Sequence, residues 1–166
     1  MKTEPEILAD EICNSPLFDL NDKYLKEYWL EYSKDKINIV DFNQILIEGY
    51  YYIAYLLDKS FLENYPDQKL QRELFNLNVE RYLSSRIISF LNFSTYITAE
   101  EVLSNFSVKK VFYANEEKTE GGAINAYRNL MCDLFKNGSV LYLKIPYDMG
   151  ILYINFIKPH FIKKVK

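Results

Sequence analysis

The sequence has little glycine and little proline, with five of each in 166 residues. Loops that bind a phosphate or a dinucleotide need glycines at fixed spacings, because the backbone there turns tightly and approaches the ligand closely. The five glycines match none of these spacings: Gly49, Gly121, Gly122, Gly138 and Gly150. The common nucleotide-binding motifs are therefore excluded.

Histidine and cysteine are also scarce. His160 is the only histidine, which excludes metal sites and acid–base pairs built from two histidines of one chain. Cys13 and Cys132 are far apart in the sequence, and so few cysteines in a chain of this length predict buried free thiols. No G-x-S-x-G motif accompanies the histidine. We therefore expect no catalytic residues, no metal site and no cofactor, and hence a protein that is not an enzyme.

One short charged segment resembles an element of an enzyme family. Glu116-Glu117-Lys118 is similar to the acidic–x–Lys element of metal-dependent nucleases, in which carboxylates hold the cation. The resemblance covers three residues, and segments rich in Glu and Lys are common on protein surfaces. We interpret residues 115–122 as a polar surface loop.

The sequence contains no pattern of a membrane span or a signal peptide. The first twelve residues, MKTEPEILADEI, are acidic and have no apolar central region. The most apolar helical pattern, residues 41–58, is shorter than a membrane span and includes Glu48. We therefore predict a cytoplasmic protein with no membrane partner.

Aromatic residues are abundant, with fifteen Tyr and eleven Phe, and five of them lie in residues 41–58, DFNQILIEGYYYIAYLLD. Asp41 and Gln44 have the spacing of a capping box, which favours a helix start. Apolar residues then occupy nearly every side of the helix, a pattern typical of a helix buried in a larger core. We predict that this segment is the central helix of the fold.

Three tyrosines of this helix lie beside its narrow polar strip. Tyr51, Tyr52 and Tyr55 approach Glu48 and Asp58 on a helical wheel. Tyrosine gives a large contact area at low entropic cost, so these residues are our candidates for a partner-binding edge, with at least one of them accessible. The alternative is that all three belong to the core.

The remaining patterns predict a single α+β domain over residues 1–166, with about six helices and a small antiparallel sheet. The segment VKKVFYA (108–114) alternates as a strand does. The segments SVLYLKI (139–145) and GILYINFIK (150–158) are rich in residues that favour strands. A turn containing Pro146 and Asp148 joins them, which predicts a C-terminal β-hairpin.

Charge is distributed unevenly between an acidic helical half and a basic half. Residues 1–107 carry 10 Lys/Arg and 18 Asp/Glu, whereas residues 108–166 carry 10 and 5. The two halves attract each other within the fold, or each faces a different partner.

The order of elements in residues 75–158 resembles that of winged-helix DNA-binding domains: a long helix, ITAEEVLSNF, AINAYRNLMCDLFKNG and a hairpin. The resemblance implies that helix 123–136 enters the major groove. Its candidates for nucleic-acid contacts, with two lysines of the basic tail, are Asn125, Arg128, Asn129, Lys136, Lys163 and Lys164. The segment 107–122 is longer than the connection that such domains have at this point.

Taken together, these patterns predict a non-enzymatic intracellular protein that binds another protein. Small inhibitors of the immunity or anti-defence type have this profile, and the acidic, tyrosine-rich amino-terminal half is suited to a protein partner. The alternative is a winged-helix-like DNA-binding protein that uses helix 123–136 and the basic C-terminal hairpin and tail. The oligomeric state is left open.

Overall fold

The computed structural model describes residues 1–32, 39–91, 98–135 and 141–162, and every regular element in these ranges is helical. In these described ranges, eight α-helices follow one another, and a π-helical turn, Tyr153–Ile157, joins the last two. The α-helices are α1 Glu4–Cys13, α2 Leu17–Tyr32, α3 Ile39–Asn64, α4 Lys69–Leu91, α5 Ala99–Glu116, α6 Gly122–Phe135, α7 Leu141–Leu152 and α8 Lys158–Ile162. None of the described helices combines the length and the apolar character needed to cross a membrane.

The predicted α+β fold with a small antiparallel sheet is wrong, because the described ranges contain no strand. Residues 108–114 lie inside α5, where buried side chains recur at helical spacing at Val102, Phe106 and Tyr113. The described part of the predicted hairpin, from residue 141 onwards, is helical through α7, the π-helical turn and α8. Pro146 lies inside α7 instead of forming a turn.

The prediction of a central helix is confirmed. Helix α3 begins at Ile39 and continues past Asp58 to Asn64. The predicted helix start at Asp41, with its capping box, is therefore wrong, because Asp41 lies inside the helix. It contacts α2, α4, α5, α6 and α8. Because α3 is surrounded in this way, the apolar residues on all its sides find neighbours.

A buried carboxylate fixes α5 against α3. Glu48 is 8% exposed and accepts hydrogen bonds from Lys109 Nζ, at 2.6 Å, and from the hydroxyl of Tyr113. Lys109 and Tyr113 are one helical turn apart on α5. An ionised carboxylate away from water is costly unless it is paired, so this contact specifies which side of α5 faces α3.

A second carboxylate fixes α4 against the other end of α3. Asp58 accepts two hydrogen bonds from Arg72, from Nε at 2.7 Å and from Nη2 at 2.6 Å. Asn76, one turn further along α4, donates a third at 2.5 Å. Burial acts to raise the pKa of Asp58, but the hydrogen bonds from Arg72 and Asn76 outweigh it and hold the pKa below its ordinary value.

A third polar cluster joins α2, α3 and α4. The Tyr50 hydroxyl of α3 donates to Asp22 of α2 at 2.7 Å and accepts from Arg86 Nε of α4 at 2.9 Å. Arg86 also donates to Asp19 and Asp22 through Nη2, at 2.6 and 2.8 Å. One arginine therefore connects three helices.

Ion pairs also join the acidic half of the sequence to the basic half. Lys109 pairs with Glu48, Lys110 with Glu80 and Lys144 with Glu31. Part of the charge difference between the two halves is therefore neutralised by ion pairs within the fold.

The hydrogen bonds that Arg72 and Asn76 donate to Asp58 make the free energy of unfolding depend on pH. Because its folded pKa lies below the ordinary value of about 3.9, its contribution is present above that pH and is lost as the pH falls through the folded pKa. We expect Asp58→Asn to lower the free energy of unfolding by about 3 kcal/mol at neutral pH, and by clearly less at pH 3. Urea unfolding at both pH values measures this. The exposed Asp67→Asn is the control, and an Asp58→Asn deficit of equal size at both pH values would contradict the assignment.

Two glycines in helices differ in how close their neighbours are. A Cβ at Gly49 would lie 3.1 Å from Leu25 Cδ1 and 3.2 Å from Asn21 Nδ2, because α2 crosses α3 closely there. A Cβ at Gly150 of α7 would meet no atom within 4 Å.

We expect Gly49→Leu to destabilise the fold by about 1–3 kcal/mol, whereas Gly150→Leu should be neutral or stabilising by up to about 1 kcal/mol. Thermal and chemical unfolding measure both, and equal losses would refute this packing.

Candidate functional site

The three tyrosines predicted to form a partner-binding edge are all buried. Tyr51, Tyr52 and Tyr55 are 6%, 3% and 4% exposed, so the prediction that at least one is accessible is wrong. Helices α5 and α6 cover this edge: Tyr51 packs edge-on against Phe106, and Tyr52 stacks on Tyr127 with ring centroids 4.3 Å apart. These rings are part of the core.

The described residues predicted to contact nucleic acid are engaged with one another and with α7. Arg128 donates to Asn125, and its guanidinium carbon lies 4.1 Å from the ring centroid of Tyr142. The Tyr142 hydroxyl donates to Asn129 at 2.7 Å. This side of α6 therefore holds α7 in place.

The winged-helix interpretation is wrong because the element that would form the wing is a helix. Helix α7 includes the described part of the predicted first strand, residues 141–145, and the predicted turn. The remaining nucleic-acid candidates, Lys136, Lys163 and Lys164, lie outside the described residues.

In the segment that resembles a nuclease element, Glu117 makes contacts that stabilise the fold. Helix α5 extends through Glu116, and Glu117 accepts hydrogen bonds from Lys59 Nζ at 2.6 Å and from the Ala123 backbone N–H at 3.1 Å. The hydrogen bond from Lys59 is the main reason that the pKa of Glu117 is lowered. The carboxylate thus caps the first turn of α6, where free N–H groups favour an anion. Among the described residues, no three His, Cys, Asp or Glu side chains are placed to hold one metal ion.

An exposed apolar face lies on α7 and continues into the π-helical turn. Leu143, Tyr147 and Ile154 are 84%, 69% and 62% exposed. We call these three side chains the α7 ridge. Their spacing of four and then seven residues places them on one side of a helix. The opposite side of α7 is buried through Leu141, Ile145, Met149 and Leu152.

Polar contacts hold α7 from both flanks. On the α2 side, Asp148 accepts a hydrogen bond from the Tyr28 hydroxyl, and Lys144 Nζ lies 3.2 Å from Glu31. On the α6 side, Tyr142 makes the contacts to Arg128 and Asn129 described above. The α7 ridge is therefore held facing solvent.

A groove of about 350 Å³ lies beside the α7 ridge, between α3, α6 and α7. Gly150 lines it and, by helical position, lies between the groove and the ridge. The α3 wall carries Lys59, Ser60 and Glu63. The other lining residues are mainly apolar: Tyr52, Leu56, Ile124, Pro146, Met149 and Tyr153. The ridge and the groove together form the candidate site.

Comparisons of this chain with protein-family models, curated proteins and solved structures found no match.

Sequence reasoning missed the α7 ridge because residues 139–158 were interpreted as a hairpin. The signal was present as two interleaved helical stripes. Leu141, Ile145, Met149 and Leu152 recur at spacings of four, four and three, and these are the buried residues. The second stripe, Leu143, Tyr147 and Ile154, has the same helical period and is exposed.

Proposed function

We propose that this chain is a non-enzymatic protein-binding module that docks onto a partner protein through the α7 ridge. The observation that carries the proposal is the exposure of three large apolar side chains on one face of a helix that is buried on its other face. Contiguous exposed apolar surface is costly in water and marks interaction sites.

The size of the ridge supports a helix-sized contact. Leu143 and Ile154 are eleven positions apart, which corresponds to about 16 Å along a helix. Removing the exposed parts of the three side chains from water contributes roughly 3–6 kcal/mol, before the entropic cost of association is subtracted. This supports a transient interaction that the neighbouring groove strengthens.

The proposed location is the cytoplasm. Cys13 and Cys132 are both buried free thiols, as predicted, and unpaired cysteines are typical of proteins in reducing compartments. An inhibitor of the immunity or anti-defence type is the form of binding protein that we propose, because such a protein works by covering a surface of its target and needs no reacting groups of its own.

The test is capture of partner proteins by three forms of the chain. The ridge variant carries Leu143→Ser and Tyr147→Ser, and the matched control carries Leu70→Ser, which replaces a leucine on α4 that is 63% exposed. Exposed substitutions change the free energy of unfolding by about 0.5 kcal/mol or less, so all three forms should melt alike. We expect a protein that is retained by the wild type and by the control and is lost by the ridge variant.

Two results would contradict the proposal. The first is capture of the same proteins by all three forms. The second is self-association of the wild type that the ridge variant lacks, measured by sedimentation, with no other protein captured. That result would make the ridge an interface between two copies of this chain.

A further inference from the structure

The groove beside the α7 ridge has unbalanced charge on its α3 wall. Lys59 Nζ lies 2.6 Å from Glu117 Oε1 and 4.0 Å from Glu63 Oε1. Two carboxylates therefore approach one ammonium group, and Glu117, the closer of the two, makes the stronger ion pair with it. Among these three charged groups, one negative charge is left unbalanced.

The two carboxylates differ in their other partners. Glu117 also accepts hydrogen bonds from the Tyr55 hydroxyl and the Ala123 N–H. Among the described contacts, Glu63 makes one ion pair, the distant one with Lys59. The Glu63 side chain is 55% exposed. Glu63 is thus a solvated carboxylate at the edge of a mainly apolar groove.

The apolar part of the groove suits a large side chain. Leu56, Ile124 and Met149 line it, and the absence of a side chain at Gly150 leaves it open toward the α7 ridge. Its volume of about 350 Å³ is at the small end of the range for ligand pockets. A segment lying along the ridge could therefore place one apolar anchor across Gly150.

We propose that the partner segment is an amphipathic helix that inserts one large apolar side chain into this groove and places a lysine or arginine against Glu63. The inference rests on the proposed function and specifies the chemistry of its partner. A helix is the fitting occupant because the ridge side chains have helical spacing and can lie between the side chains of a second helix. A cation is the favoured neighbour because Glu63 would attract it, whereas an acidic neighbour would be repelled by Glu63 and Glu117.

The test uses a random library of peptides of about 16 residues, which span about 24 Å as helices, selected against the wild-type chain. We expect enrichment of lysine or arginine close to a leucine or an aromatic residue. The best peptide is then synthesised, and its dissociation constant is measured by fluorescence anisotropy. Glu63→Gln should weaken binding by about two- to five-fold, and raising salt from about 50 to 300 mM should affect the wild type more than this variant.

Glu100→Gln is the matched control. Glu100 is exposed in the first turn of α5, at the opposite end of that helix from Glu117 and about 25 Å from it along the axis. The Glu100→Gln variant should bind the peptide with the same dissociation constant as the wild type. The variant with Leu143→Ser and Tyr147→Ser should lose binding.

The outcomes separate the two proposals. If no peptide is selected, or if the selected peptides bind the ridge variant equally well, the proposed function fails and this inference fails with it. If the peptides need the ridge but carry no basic residue, or bind Glu63→Gln as tightly as the wild type, this inference is wrong while the proposed function stands.

Discussion

The fold depends on a carboxylate placed in the middle of a buried helix. Helix α3 is apolar on nearly every side, and apolar contacts alone have no direction, so they do not determine which neighbour covers which face. Glu48 does, because a buried charge must be paired, and its partners Lys109 and Tyr113 both lie on α5. Asp58 acts in the same way toward α4, and Tyr50 toward α2 and α4 through Arg86. The few polar residues of α3 thus determine which helix packs against which side of α3, and its many apolar residues stabilise that packing.

The candidate site follows from this arrangement through a series of contacts. Because α5 is fixed against α3, Glu117 at its end meets Lys59 and caps α6. Helix α6 in turn presents Arg128 and Asn129 to Tyr142, while α2 holds the other flank of α7 through Tyr28. The α7 ridge is the side of α7 that these contacts leave uncovered, and the groove beside it lies where α3, α6 and α7 meet.

The sequence was informative where a pattern had one physical interpretation. The apolar pattern on nearly every side of residues 41–58 predicted α3 as the centre. The spacing of Thr98 and Glu101 is that of a capping box, and these two residues form one at the start of α5. The sequence was misleading where β-branched and aromatic residues occur at spacings that suit either a strand or a helix, as in residues 108–114 and 141–158. Tertiary packing decides such segments, since the stripe that is buried is the one that finds a neighbour. The burial of Tyr51, Tyr52 and Tyr55 was unpredictable for the same reason: it depends on α5 and α6 covering that edge.

The most direct test of this account is the rate at which single cysteines introduced along α7 react with a thiol reagent. The native thiols give little background, because Cys13 and Cys132 are buried and burial raises the pKa of Cys13 to about 12. The account predicts fast labelling of Leu143→Cys, Tyr147→Cys and Ile154→Cys, and slow labelling of Ile145→Cys and Leu152→Cys. Equal rates at positions 143, 145 and 147, as the alternation of a strand would give, or slow labelling at 143 and 147, would contradict it.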